Sequence, residues 1–224
     1  MSTSHGAELP IHLTRFDMTS FNAELFAING IACPPSVARS VHKRQAEFYF
    51  GRLVARKALS ELGIVEAEVR VGASREPVWP SGILGSISHT HVLAAAAVMS
   101  VGKCKGVGID IEHVVGEKTS AALKATVVSL DELAYLESLV GALSLNALLT
   151  IVFSAKESFF KSAFSEVGRY FDFSAARVVR LDMERGLVSL ELTQTLCDAF
   201  PMRRVCDVGF CFIAPDVVLT YFVW

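Results

Sequence analysis

Two long stretches without proline frame what this chain can fold into. The first, SVARSVHKRQAEFYFGRLVARKALSELG, runs from Ser36 to Gly63, and the second, LNALLTIVFSAKESFFKSAF, covers residues 145–164. A serine cap at Ser36, after the Pro34–Pro35 stop, and a glycine at the far end predict one long helix over the first stretch. At about 100° per residue, Val41, Phe48, Ala55, Leu59 and Leu62 line one side of it. Strand-like segments follow each helix. After the first come VEAEVRVG (65–72), SIS (86–88) and VLAAAAVMS (92–100), the last two flanking a turn at His89–Thr90–His91. After the second come FDFSAARVVRLD, LVSLELT and VGFCFIAPDVVLTYFVW. A chain that reads helix-then-strands twice predicts an α+β fold with an N-terminal half, 1–104, and a C-terminal half, 105–224. The second half also holds SLDELAYLESL (129–139), a helix with Ser129 as cap and Glu132 at the capping-box position.

Composition narrows the function classes. With 224 residues, 52% of them hydrophobic and 20% charged, the chain can bury a large core. It has none of the polar bias of disorder. A net charge of −2 advertises neither nucleic acid nor an anionic membrane, so an anion site has to be a local cluster. No apolar run reaches the roughly 18 residues that a spanning helix needs. The opening MSTSHGAELPIHLTRF lacks the layout of a secretory signal. The five cysteines, an odd number, include no CxxC pair and show no zinc spacing, so they read as reduced thiols. The expected compartment is the cytoplasm. The apolar composition leaves room for loose membrane association.

Three clusters could carry chemistry. In GVGIDIEHV, Asp110 and Glu112 stand two apart on a strand and point to the same side. Paired carboxylates in an apolar, β-branched run repel each other and are costly to bury charged, and a divalent cation removes both problems. Gly106 and Gly108 permit close backbone approach beside them. In FSAKESFFKS (153–162), Glu157 and Lys161 are four apart on one helical face, framed by Phe153, Phe159, Phe160 and Phe164. Lys156 points to a different side from its neighbour Glu157. The third cluster is basic: Arg44, Arg52, Arg56 and Lys57 on the first helix, with Arg75 and His89 beyond it. An arginine on an apolar stripe needs an anion, and phosphate suits it. Arg44 and Lys57 read as surface charges paired with Glu47 or Glu61. There is no Walker A loop, no GxGxxG before a helix, no GxSxG elbow and no HExxH. The acids by themselves also fit a metal-dependent phosphodiesterase.

Taken in order, REPVWPSGILGSISHT (75–90), GVGIDIE (106–112), FSAKESFFKS (153–162) and the helix FYFGRLVARKALSELG (48–63) resemble the 4′-phosphopantetheinyl transferases of the surfactin-synthetase type, nearest the enterobactin-pathway branch. Phe153, where many surfactin-type members carry Trp, agrees with that branch. The resemblance covers roughly residues 40–165. It implies a pseudo-dimer of two similar halves, each a long helix packed on a small, mostly antiparallel sheet, with the active site in the cleft between them. It implies transfer of the phosphopantetheine arm of coenzyme A to a serine of an apo acyl, aryl or peptidyl carrier protein, with Mg²⁺ (or Mn²⁺) and release of adenosine 3′,5′-bisphosphate. By the same resemblance Asp110, Glu112 and Glu157 hold the metal, and Glu157 and Lys161 are catalytic. Arg52, Arg56, Arg75, Ser88, His89, Lys156 and Lys161 bind coenzyme A. The pathway it suggests is siderophore or other secondary metabolism, the expected state is a monomer, and no nucleic acid is involved. The alternative is a coenzyme A-binding module without transferase activity. The stretch 113–128, with Lys118 and Lys124, is the expected docking loop for an acidic carrier, and Arg39 is a further candidate contact.

Overall fold

The computed structural model describes residues 9–65, 67–102 and 104–224. The chain divides into two compact units, one ending at Val107 and one from Gly108 to Trp224.

In the first unit the elements are β1 (Ile11–Arg15), α1 (Glu24–Ile28), α2 (Pro35–Ala38), α3 (His42–Glu61), β2 (Arg70–Val71), β3 (Pro77–Val78), β4 (Ile83–His89) and β5 (Leu93–Ser100). Strand β5 lies between β1 and β4, antiparallel to both, and β2 pairs with β3 as a separate ribbon. Ala94, Ala96 and Val98 of β5 join the core beneath α3, with Phe48, Val54, Ala55 and Leu59 of the helix above them. The small alanine side chains let the helix pack close to the sheet. Strand β1 comes from the undiagnostic first 35 residues and edges this sheet.

Two expectations need correction here. The helix predicted over Ser36–Gly63 is two helices. Pro34 caps α2, Pro35 opens its first turn, and the chain breaks before α3 with Val41 extended at φ −65°, ψ 152°. Polar side chains stabilise the break. The Ser40 hydroxyl donates to the Val37 carbonyl, and the Gln45 amide donates to the carbonyls of Ala38 and Ser40, which the break frees. The predicted stripe therefore holds only in its middle: Phe48, Ala55 and Leu59 are buried, but Val41 is 72% exposed. The strand predicted over 65–72 shrinks to Arg70–Val71. Arg52 reaches across to the carbonyls of Val69 and Arg70, which a longer ladder would have used. Glu66, within that prediction, lies outside the described residues.

The second unit contains β6 (Val107–His113), α4 (Glu117–Thr126), α5 (Leu130–Ser138), α6 (Leu145–Val167), β7 (Ala176–Asp182), β8 (Leu187–Leu192), β9 (Val205–Ala214) and β10 (Val217–Val223). Its five-stranded sheet has the order β6-β10-β9-β8-β7. Ser144 caps α6 by accepting from the Ala147 amide, and Gly168 ends it with φ +67°. Leu148, Leu149, Ile151, Val152, Ala155 and Phe159 of α6 pack into one core with Val188, Leu190, Val208, Val218 and Phe222 of the sheet. Within this seam two serines of α6 are partnered by the sheet. Ser154 and Ser158 both meet the Thr220 hydroxyl, at 2.9 and 2.6 Å, and Thr220 donates to the Ser154 carbonyl. The capping box on α5 forms as predicted, between Ser129 and Glu132. Glu132 Oε1 also accepts from the Val178 amide of β7 at 2.7 Å, and the Tyr135 hydroxyl accepts from the Leu181 amide at 3.0 Å. The stretch 113–128 is not a loop, because α4 occupies most of it, with Lys118 and Lys124 exposed on the helix. All five cysteines are free thiols. Among the described residues no helix is long and apolar enough to cross a membrane.

Both units are thus α+β, each with a long helix on a sheet that is antiparallel in its pairings.

Candidate active site

In the second unit, β6 and α6 bring four charged side chains together. The two elements approach so closely because residue 108 has no side chain. A Cβ on Gly108 would lie 1.9 Å from the Ser158 carbonyl oxygen and 2.7 Å from the Ser162 amide nitrogen of α6. Asp110, 3% exposed, then faces Lys161, whose ammonium donates to Asp110 Oδ1 at 2.6 Å and to the Ile109 carbonyl at 3.2 Å. Glu112 follows on the same side of the strand, and Glu157 lies one helical turn before Lys161.

These groups feel one another. Burial pushes the Glu112 carboxyl up to about 8, and the neighbouring charges of Asp110 and Glu157 push in the same direction against Lys161. Burial also raises Glu157, with Asp110 adding to the rise and Lys161 opposing it. Among the described residues three carboxyl groups therefore gather about the Lys161 ammonium, and two of them are held above the usual carboxylate range. Among the described residues no three His, Cys, Asp or Glu side chains are drawn into a metal-ligating array, and Lys161 supplies the cation that Asp110 contacts. The donor set nevertheless fits a hard divalent ion. It is all oxygen, it carries more negative than positive charge, and it is buried enough that added positive charge would be strongly favoured.

Lys156 does not join this cluster. Its side chain is 2% exposed and its ammonium sits 2.8 Å from Glu132 Oε1, with further bonds to the carbonyls of Val127 and Phe173. Burial lowers its pKa, and Glu132 works against that by stabilising the charged form. Beside Glu157 on its other flank is a small cavity of about 40 Å³, walled by Phe159, Phe160, Tyr170, Phe171 and Phe173.

The first unit holds a basic cavity of about 270 Å³ lined by Arg44, Glu47, Phe48, Arg52, Arg75 and His89, among others. Arg44 Nη1 lies 3.3 Å from His89 Nε2, and Glu47 Oε2 lies 3.9 Å from His89 Nδ1. Burial lowers the Arg52 pKa to about 10, and the charge of Arg44 adds to the effect while Glu68 opposes it. The Arg52 guanidinium stacks over Phe48, 4.5 Å from the ring centroid, and its Nε is tied to Val69. Arg75 lies in a turn at φ +69°, closed by the Gly72 amide donating to the Glu76 carbonyl.

Of the residues expected to bind coenzyme A in this unit, Arg52, Arg75 and His89 share the cavity. Arg56 and Ser88 are not brought to it. Arg56 bonds the Asn29 carbonyl, which ties α3 to the turn after α1. Ser88 alternates with His89 and Ile87 along β4, so it faces the opposite side of the strand, where it is buried. Arg44 and Glu47, not among the expected coenzyme A contacts, also line this cavity. The signal was present: Arg44, Phe48 and Arg52 recur every four positions and share one face of α3.

Residues 34–99 match the family described as "4'-phosphopantetheinyl transferase N-terminal domain", and residues 106–203 match the "4'-phosphopantetheinyl transferase superfamily". The chain is 35% identical to enterobactin synthase component D of Salmonella typhi over 208 residues, which is 92% of this chain and 84% of the relative. It is 34% identical to enterobactin synthase component D of Escherichia coli K12 over 166 residues, covering 73% of this chain and 77% of the relative. It is also 34% identical to 4'-phosphopantetheinyl transferase PptT of Mycobacterium tuberculosis over 145 residues, covering 64% of this chain and 62% of that protein. The chain belongs to the 4′-phosphopantetheinyl transferase family and is an enzyme of that class.

Proposed function

We propose that the enzyme transfers the 4′-phosphopantetheine arm of coenzyme A to a serine of an apo carrier protein and releases adenosine 3′,5′-bisphosphate. The observation that carries this is the cluster of Asp110, Glu112, Glu157 and Lys161, with Lys161 held 2.6 Å from Asp110. The serine oxygen attacks the phosphorus next to pantetheine. The bond from that phosphorus to the bridging pyrophosphate oxygen breaks, and the electron pair leaves with the adenosine bisphosphate. Asp110, Glu112 and Glu157 would hold Mg²⁺ or Mn²⁺, which when bound neutralises charge on the pyrophosphate oxygens. Glu157 accepts the serine proton, directly or through a water. Lys161, the cation of the cluster, stabilises the negative charge that gathers on the leaving phosphate. In the first unit, Arg44, Arg52, Arg75 and His89 supply the cationic surface for the 3′-phosphate and adenosine, and the arginine guanidinium geometry matches phosphate.

The names of the relatives point to siderophore synthesis, so the first carriers to test are those of siderophore and other secondary-metabolite synthases. The protein is incubated with coenzyme A, Mg²⁺ and a panel of apo carriers, and each carrier is weighed by intact mass spectrometry. A gain of one phosphopantetheine that disappears on chelation with EDTA is the expected result. Coenzyme A binding without any gain on any carrier would support the non-catalytic module instead.

The exposed lysines of α4 suit an acidic carrier helix. Replacing Lys118 and Lys124 together by Glu is expected to raise the KM for the carrier about tenfold through loss of electrostatic steering, with the KM for coenzyme A unchanged. An unaltered carrier KM would remove α4 from the docking surface.

A further inference from the structure

We propose that Lys156 and Glu132 form a positioning pair for Glu157, and that Lys156 does not contact coenzyme A. This rests on the role given to Glu157 above. An ammonium has three protons to donate. Lys156 directs its donors to Glu132 Oε1 at 2.8 Å, the Val127 carbonyl at 2.8 Å and the Phe173 carbonyl at 3.3 Å. With its side chain 2% exposed and all three protons directed to these acceptors, it has no donor left for a phosphate.

The three acceptors come from three separate pieces of the unit. Val127 is the C-cap of α4. Glu132 sits in the first turn of α5, where Oε2 accepts from the Ser129 amide and Oε1 from the Val178 amide of β7. Phe173 walls the small aromatic cavity that Glu157 also lines. One buried cation therefore ties the end of α4, the start of α5 and the wall beside Glu157 to the turn of α6 that carries Glu157. Glu132 is itself fixed on two other sides, so it anchors the lysine as well as neutralising it. A base misplaced by about 1 Å can lose two orders of magnitude in rate, so a tie of this kind acts on turnover rather than on substrate affinity.

The test is steady-state kinetics of the full chain with varied coenzyme A and a carrier that the wild type modifies. The variants are Glu132→Gln, Lys156→Met and the double variant, with thermal melts to establish that each is folded. Each single substitution is expected to lower kcat at least about tenfold while the KM for coenzyme A stays within about twofold. The double variant is expected to be no worse than Glu132→Gln alone, because it no longer buries an unmatched charge. A tenfold rise in coenzyme A KM for Lys156→Met, without one for Glu132→Gln, would assign the lysine to the ligand and overturn the proposal. So would folded variants with wild-type kcat, since that leaves the pair a purely structural role. If Lys156→Met does not fold, Glu132→Gln decides by the same split: it is nearly isosteric, its one oxygen can still serve Val178 and Lys156, and what it removes is the charge that anchors Lys156 and the acceptor for the Ser129 amide. A wild-type protein inactive on every carrier would fail at the control and refute the functional reading itself.

Discussion

Glu157→Gln is expected to lower kcat for phosphopantetheine transfer by about 10²–10⁴-fold while leaving the thermal midpoint near that of the wild type. The amide keeps the size of the side chain and one oxygen donor, but it cannot accept the serine proton at neutral pH. It also removes one of three carboxyl groups that crowd together beside Lys161, and burial already holds Glu157 above the ordinary carboxylate range. Folding therefore has little to lose. Kinetics at increasing Mg²⁺ separate the two roles of the residue. If the loss persists at saturating Mg²⁺, Glu157 acts as the base. If high Mg²⁺ restores the rate, Glu157 is a metal ligand and a water or another group takes the proton.

Gly108→Ala is expected to destabilise the second unit by about 3 kcal/mol or more, at the upper end of overpacking costs. The added methyl would meet the Ser158 carbonyl at 1.9 Å and the Ser162 amide at 2.7 Å, both backbone atoms of α6 that no rotamer change can move aside. The strand or the helix has to shift, and either shift separates Asp110 and Glu112 from Glu157 and Lys161. Activity per folded molecule should fall as well, by about two orders of magnitude for a displacement near 1 Å. Gly116→Ala is the control: a Cβ there meets nothing within 4 Å, and the expected change is under about 1 kcal/mol. Urea denaturation and transfer kinetics on both variants check this. Equal stability of the two would show that α6 and β6 yield without cost.

The acidic cluster was legible because each pair follows a local periodicity. Asp110 and Glu112 obey the two-residue repeat of a strand and Glu157 and Lys161 the four-residue repeat of a helix, while only the family resemblance put the two pairs together. What was not legible lies where one side chain answers to something distant. Lys156 belongs to the same motif as Glu157, yet its partner is on α5. Glu132 had already been assigned to the capping box, and the sequence does not show that its second oxygen holds a lysine and a strand amide. Arg56 and Arg44 are both basic residues on α3. Which of them faces His89 depends on where the helix sits against the turn after α1, and that turn takes Arg56 through the Asn29 carbonyl. The helix break before His42 depends on a glutamine side chain bonding backward across it. The shortened strand at 70–71 depends on Arg52, a residue of another element.

The two amides of β7 that bond to α5 have a consequence for how the protein behaves among copies of itself. β7 is the last strand of its sheet, and an exposed terminal strand is a template on which another chain can add its own. Here the Glu132 carboxylate occupies the Val178 amide and the Tyr135 hydroxyl occupies the Leu181 amide. An incoming strand would have to displace a buried carboxylate and a tyrosine before it could pair at either position. Side chains of a neighbouring helix thus occupy two pairing positions on the border of the sheet, and a residue that anchors a lysine beside Glu157 also stands where a foreign strand would have to bond.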